Sequence, residues 1–226
     1  MTKVWITRTL PAADESASNW GEAGFEPILA PLLKIEAVAH EPLPKTETLI
    51  FTSKNAIDHI VCAGQRAICV GDATAEKART AGYSNVISVD GTSTDITAWV
   101  KDTLQKTEPL CHVSGWHVRG RIAEDLQSLG YSARRVKVYR SVPRPVWPSE
   151  AFSMVAFYSP LAAKTFAELA KTRDVTELEA ICISEATAKE LGDLYLKSKY
   201  FPARPREDEL IMAAKNAERQ TLAVKG

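Results

Sequence analysis

The sequence predicts an α/β protein with parallel sheets, made of two diverged copies of one unit, with its working site between two lobes. Three observations lead there. Short β-branched runs alternate with segments of helical period along the chain, matched motifs recur at near-constant spacing, and a proline-rich stretch occupies the same place in each copy. Length agrees, since 226 residues hold two lobes near ~100 residues each, large enough for separate cores.

Residues 4–7 read as the first strand. Ala13, Ala17 and Trp20 then recur at i, i+4 and i+7, and Gly24 sits where a helix C-terminal glycine belongs. Residues 49–52, 67–70 and 86–89 read as strands, with helices starting at Ser53 and at Asp72, the latter stopping at Gly82. Ile96, Trp99, Val100 and Leu104 line one face of the next helix, with N-cap candidates at residues 92–94. Residues 110–114 reopen the pattern. Val118, Ile122, Leu126 and Leu129 stripe the helix that follows, and Gly130 ends it.

Gly24-Phe25 corresponds to Gly130-Tyr131, and Phe51-Thr52-Ser53 to Phe157-Tyr158-Ser159, both at an offset of 106. Asp72-Ala73-Thr74-Ala75 matches Glu185-Ala186-Thr187-Ala188 at 113. These matches predict an internal duplication, residues 1–106 and 107–226. Residues 27–44, with four prolines, and residues 134–148, with Pro143, Pro145 and Pro148, read as extended crossings between lobes rather than helices or short strands. If the two crossings pair, the repeat boundary and the domain boundary differ.

Composition narrows the function. Lys and Arg total 28 against 28 Asp and Glu, so there is no global positive field for nucleic acid or anionic membrane, and basic and aromatic residues do not interleave along a face. The longest apolar run, residues 28–33, is interrupted by Pro31 and far below the ~18 residues of a membrane span. With no apolar leader after Met1, a cytoplasmic protein is expected. The four cysteines form no C-x-x-C pair and read as reduced core residues, and the four histidines lack metal spacing. No dinucleotide fingerprint, P-loop or nucleophile elbow is present.

The residues that could carry chemistry cluster at predicted strand-to-helix turns. Ser53 and Ser159 stand at matched N-caps, with Pro160 in the first turn after Ser159, and Thr74 and Thr187 fall in the first turns of the second matched pair. Helix N-termini converging on one cleft offer free N–H groups and positive dipole ends to carboxylates or phosphates, with ordinary capping as the alternative. Arg8, Arg119 and Arg121 follow the first strand of each copy and could clamp a carboxylate, or serve as solvated or ion-paired surface residues. Lys54 and Asn55 are weaker candidates.

The ordered set F-T-S-x-N-A, V-G-x-A-T-A, V-Y-R-S, F-x-S-P and E-A-T-A resembles the uroporphyrinogen-III synthase family over essentially the whole chain. The resemblance implies two similar three-layer α/β lobes with parallel sheets, flavodoxin-like, joined by a two-stranded β linker. One lobe would hold residues 1–34 plus 146–226 and the other 38–138, with residues 35–37 and 139–145 as linker strands. It implies a small-molecule polycarboxylate tetrapyrrole, hydroxymethylbilane, as substrate, closed with loss of water and inversion of the terminal pyrrole. No cofactor and no metal are implied; a monomer is expected, with transient contact to the enzyme that makes the substrate. Tyr139, in Val138-Tyr139-Arg140-Ser141, carries over as the catalytic contributor, with anchoring of the linker as its other reading. Arg8, Ser53, Thr74, Arg119, Ser159 and Thr187 carry over as substrate contacts.

Two departures stand out: Thr9 follows Arg8 where proline is usual in the family, and Ser184 replaces a glycine before the second threonine turn, putting a close backbone approach there in question. Rival readings are a two-lobed anion-binding protein and a non-enzymatic interaction module of doubly wound type.

Overall fold

The computed structural model describes residues 1–118 and 120–225, with side chains through residue 220; Arg119 lies outside the described residues. The chain opens with β1 (Lys3–Ile6), α1 (Ala12–Glu22), β2 (Glu26–Leu29) and β3 (Leu33–Ala37). It continues with β4 (Thr48–Phe51), α2 (Lys54–Ile57), β5 (Arg66–Cys69), α3 (Asp72–Thr80), β6 (Ser84–Ser88) and α4 (Ser93–Thr103). The second copy supplies β7 (Leu110–Gly115), α5 (Ile122–Ser128), β8 (Ala133–Pro143), β9 (Met154–Phe157) and α6 (Pro160–Ala170), then β10 (Glu179–Cys182), α7 (Glu185–Lys189), β11 (Ser198–Tyr200) and α8 (Glu207–Lys225).

Two compact units result: Met1–Lys34 with Val142–Gly226, and Ile35–Ser141. The first unit's sheet runs β11-β10-β9-β1-β2, with every neighbouring pair parallel. The second runs β3-β8-β7-β4-β5-β6, parallel from β8 to β6. Along β3 and β8, the Val38 N–H donates to the Val138 carbonyl and the Arg144 N–H to the Leu32 carbonyl. Numbers on one side rise as the other falls, so this pair is antiparallel.

The two sheets therefore share one strand order, β2-β1-β9-β10-β11 matching β8-β7-β4-β5-β6. Each mixes the copies: β1 and β2 of the first copy join β9, β10 and β11 of the second, and the remaining strands form the other unit. The boundaries after residues 34 and 141 cut through β3 and β8, so the expected linker residues 139–145 fall on both sides of a boundary.

Each strand feeds two cores by its period of two. In the first unit Trp5 turns to a cluster with Phe157 and Phe166 of α6, while Val4 and Ile6 turn to one with Trp20 of α1 and Leu210 of α8. The second unit repeats the layout: Leu49 and Phe51 pack with Ala75 of α3, and Ile50 with Ile96 of α4 and Leu126 of α5. Trp5 meets Trp147, Phe152 and Phe166 edge-on at 5.2, 5.2 and 5.7 Å, each such pair adding about 0.5–1.5 kcal/mol beyond burial.

The matched glycines stop matched helices. Gly24 (φ 96°) and Gly130 (φ 87°) take the left-handed conformation that ends α1 and α5, and the Phe25 and Tyr131 N–H groups reach back to the Trp20 and Leu126 carbonyls. The Thr92 cap of α4 forms a capping box with Asp95.

Some sequence expectations need correction. Residues 27–44 contain two strands, β2 and β3, rather than one plain crossing. Pro27 is tolerated because β2 is the outermost strand of its sheet, where a missing N–H costs no ladder bond. Residues 134–148 likewise contain most of β8, which pairs with β7 over residues 133–139 before meeting β3. The helix after β7 begins at Ile122, so Val118 precedes it, and Leu129 is partly exposed at its C-cap.

Candidate active site

In both sheets the strand carboxyl ends lead into the turns singled out by sequence. In the second unit, β4 runs into Ser53, whose extended backbone (φ −156°, ψ 140°) lets Oγ accept from the Asn55 N–H at 3.2 Å. Its helix, α2, is a single turn, and a single turn has little dipole to offer an anion. β5 runs into Gly71, the N-cap of α3. Thr74 is buried in that first turn, with its N–H given to the Gly71 carbonyl at 3.1 Å.

Beside the carboxyl end of β7 stands Tyr139, from the middle of β8. The ladder runs in step from Leu110↔Ala133 to Ser114↔Lys137 and then slips, so that Gly115 faces Tyr139. This bulge turns the tyrosine onto Gly115. The Trp116 N–H donates to the Tyr139 carbonyl at 2.7 Å, and His59 stacks on the phenol ring at 5.8 Å. Among the described residues the Tyr139 hydroxyl makes no hydrogen bond. Arg135 secures the turn: Nε donates to Ser114 Oγ at 2.8 Å, and Nη2 to the Gly115 and Trp116 carbonyls at 2.6 and 3.0 Å.

Beneath lies His112, 2% exposed, its Nε2 3.2 Å from Thr52 Oγ1 and its buried Nδ1 without a partner among the described residues. Burial, reinforced by the Arg135 charge, pushes its pKa down to about 4. The ring is neutral near pH 7.

The first unit builds a different edge. Ser159 caps α6, an 11-residue helix with Pro160 at its start, and Oγ accepts from the Ala162 N–H at 3.2 Å. Ser184 caps α7; its Oγ accepts from the Thr187 N–H at 3.4 Å and sits 3.1 Å from the Thr187 hydroxyl. Thr187 is fully buried. Ser184 and Gly71 both have extended backbone, φ −163° and −162°, so the serine fits without strain and adds a cap.

Arg8 follows β1. Its Nη1 donates to Ser16 Oγ at 2.9 Å and reaches Glu207 Oε2 at 3.4 Å, and its guanidinium lies 5.0 Å from the centre of the Tyr158 ring. Tyr158 donates to Glu207 Oε1 at 2.7 Å and accepts from Trp20 Nε1 at 2.8 Å, and Asn19 donates to Glu207 Oε2 at 3.0 Å. Burial first, and then the bond to Glu207, raises the Tyr158 pKa, so this phenol stays protonated. Arg8 is thus partly neutralised by Glu207 rather than simply solvated. Arg121 is an exposed residue at the N-cap of α5.

Within the second unit the structure brings Tyr139 beside the carboxyl end of β7, and within the first it sets Arg8 beside Tyr158, which directly precedes Ser159. The Thr74 and Thr187 side chains are buried, leaving their helix ends rather than their hydroxyls to meet a ligand. Gly115, His59 and Arg135 escaped sequence reasoning because their role depends on the β7–β8 bulge, which no periodicity reveals. Tyr158 was visible as part of a matched motif, but its partner Glu207 lies 49 residues away.

Among the described residues the edges offer capped helix starts, a partly paired arginine and a phenol that makes no hydrogen bond. These features define a duplicated α/β protein of mostly parallel sheets with capped helix starts at its strand ends. The family described as uroporphyrinogen-III synthase HemD matches residues 14–212, and the chain belongs to that family. It is accordingly a cyclising lyase of tetrapyrrole biosynthesis.

A solved uroporphyrinogen-III synthetase from Helicobacter pylori superposes with a TM-score of 0.64 at 16% identity, covering 96% of this chain and 100% of that one. The wild-type uroporphyrinogen III synthase of Thermus thermophilus matches with a TM-score of 0.45 at 18% identity, over 98% and 100% of the two chains. No curated protein sequence matches the chain. Among the described residues no helix is long and apolar enough to cross a membrane.

Proposed function

We propose that this protein closes hydroxymethylbilane to uroporphyrinogen III, with Tyr139 as the group that acts on the reacting end of the substrate. The observation that supports this role is the Tyr139 hydroxyl, which makes no hydrogen bond among the described residues and stands beside the carboxyl end of β7. A free phenol there can donate to the departing hydroxyl of the substrate, which leaves as water and generates an electrophilic methylene. The substituted carbon of the terminal pyrrole attacks that methylene, forming a spiro intermediate whose fragmentation and reclosure invert the ring. Arg8, Ser53, Thr74, Arg119, Ser159 and Thr187 remain the proposed substrate contacts, Thr74 and Thr187 through the starts of their helices and Ser53 through its turn rather than through a helix dipole.

A substrate that cyclises unaided to the uninverted isomer requires no obligatory acid or base. The protein then selects a geometry. A product ratio of 99 to 1 needs only ~2.7 kcal/mol of differential barrier, within reach of several modest contacts. In this reading the lobes are residues 1–34 plus 146–226 and 38–138, joined by 35–37 and 139–145. The protein works as a cytoplasmic monomer without a cofactor and meets the enzyme that makes its substrate only transiently.

The test supplies freshly generated hydroxymethylbilane, oxidises the products and separates the type I and type III uroporphyrin isomers. Predominant type III is expected. Tyr139→Phe should lower the type III to type I ratio roughly tenfold, and Arg8→Ala should raise KM a few-fold while leaving kcat within about twofold. Type I alone from a folded sample would remove the enzymatic reading and favour anion binding.

A further inference from the structure

Gly115 is buried at the last position of β7, and its φ is not in the left-handed region, so backbone conformation does not demand glycine there. Space does. A Cβ at Gly115 would lie 2.7 Å from Tyr139 Cζ, 2.8 Å from Cε2 and 3.0 Å from the hydroxyl oxygen. All three atoms belong to the reacting end of the ring. Ordinary carbon contacts begin near 3.4 Å, so any side chain forces the ring back by about 0.7 Å, the difference between 3.4 and 2.7. The ring has a second neighbour: His59 stacks on the phenol at 5.8 Å with 30° between planes. The backbone beneath is held by the Trp116 N–H to Tyr139 carbonyl bond and by the Arg135 guanidinium on the Gly115 and Trp116 carbonyls.

We propose that Gly115 is a positioning residue for Tyr139: the absent side chain, with the β7–β8 bulge and the His59 ring, sets where the phenol stands and so which isomer forms. The proposal rests on the reading of Tyr139 given above. Glycine at this position is then a determinant of isomer selectivity although it need not touch substrate. The displaced group in a Gly115→Ala variant is the far end of one side chain rather than backbone, so the ring moves and the sheet stands.

The experiment compares full-length wild type, Gly115→Ala, Tyr139→Phe and the double variant with fresh hydroxymethylbilane, reading isomer ratio, kcat and KM, with thermal midpoints as a check on folding. The His59 ring-proton NMR signal, assigned with His59→Gln, reports the position of the Tyr139 ring independently of activity. Gly115→Ala is expected to shift that signal, to lower the type III to type I ratio roughly tenfold through kcat, and to leave KM within about twofold. The double variant is expected to be no worse than Tyr139→Phe alone, because a hydroxyl already removed cannot be misplaced.

An unmoved His59 signal, a wild-type isomer ratio in Gly115→Ala, or full additivity in the double variant overturns the positioning role. A wild-type ratio in Tyr139→Phe with a moved His59 signal overturns the reading of Tyr139 instead, and with it the link from ring position to isomer. Should Gly115→Ala not fold, Arg135→Gln, which frees the two carbonyls while keeping the glycine, decides the matter. The same signal shift and a roughly threefold lower ratio are expected, and no change in either overturns the proposal.

Discussion

The two units use the same strand pair to opposite ends. Trp5↔Val155 in β1 and β9 and Cys111↔Leu49 in β7 and β4 are equivalent pairs, both strands offset by 106, the spacing that also relates Phe51 to Phe157. After its first strand the first unit places a long cation, Arg8, and pairs it with Glu207 from α8. At the end of the equivalent strand the second unit has Gly115, without a side chain, and sets the Tyr139 phenol from β8 against it. Duplication repeated the scaffold, and divergence at the strand ends decided whether the edge presents a charge or a hydroxyl.

The helix starts diverge in the same way. Ser159 begins 11 residues of helix where Ser53 begins four, and the second turn reverses this, with nine residues in α3 against five in α7. Each unit keeps one substantial helix end at its carboxyl edge, at different strands.

The comparison is most exposed at Glu207. Glu207→Ala removes the acceptor for Tyr158 and Asn19 together with the partner of Arg8, and should cost roughly 2–3 kcal/mol in chemical denaturation, mostly from the buried Tyr158 hydroxyl. A loss below a few tenths would mean that the first unit does not depend on neutralising its arginine.

Next comes His112, which stands where the first unit has Ile6. Ile6 is apolar and fully buried, whereas the buried His112 Nδ1 has no partner among the described residues. The folded pKa of His112 is depressed from 6.5 to about 4. The unfolded chain therefore binds this proton more readily, and the stability contributed by the neutral ring is present above pH 6.5 and lost as pH falls towards 4. About 2 kcal/mol of stability should disappear between pH 7 and 5, visible as a falling urea midpoint. His112→Asn should shrink that fall by the same amount; an unchanged slope would show that His112 is not the responsible group.

The smallest contrast is between the caps. Ser159→Ala should cost ~1 kcal/mol, and Ser53→Ala a few tenths, since one turn of helix has less to lose. Equal losses would erase the distinction between long and short helix starts. Abolished turnover in folded Ser53→Ala would contradict a mechanism built from many modest contacts.

Much of the fold was legible because periodicity and punctuation are local. Gly24 and Gly130 stop helices at matched places, and residues 49–52 and 67–70 read as strands from composition. The strands β2 and most of β8 were hidden by their prolines, which signal broken structure unless the strand is known to lie at a sheet edge. The length of α2 was hidden too, because Ser53 and Ser159 begin nearly identical motifs and only packing decides how far each helix continues. At the candidate site, Tyr139, Arg8 and the capping serines were visible from motif and position. Gly115, His59, Arg135 and Glu207 were not, because their meaning lies in a partner distant in sequence.

By itself the sequence determined the α/β class, the duplication, the family and the turns where the chemistry gathers, since each is written in residues close together along the chain. The tertiary structure alone decided which strands of each copy join into one sheet, how the β7–β8 register slips by one residue, and which side chain then occupies the space beside Gly115. Those outcomes depend on hydrogen-bond register and on contacts of a few tenths of an ångström between residues far apart in sequence, and no local pattern encodes them.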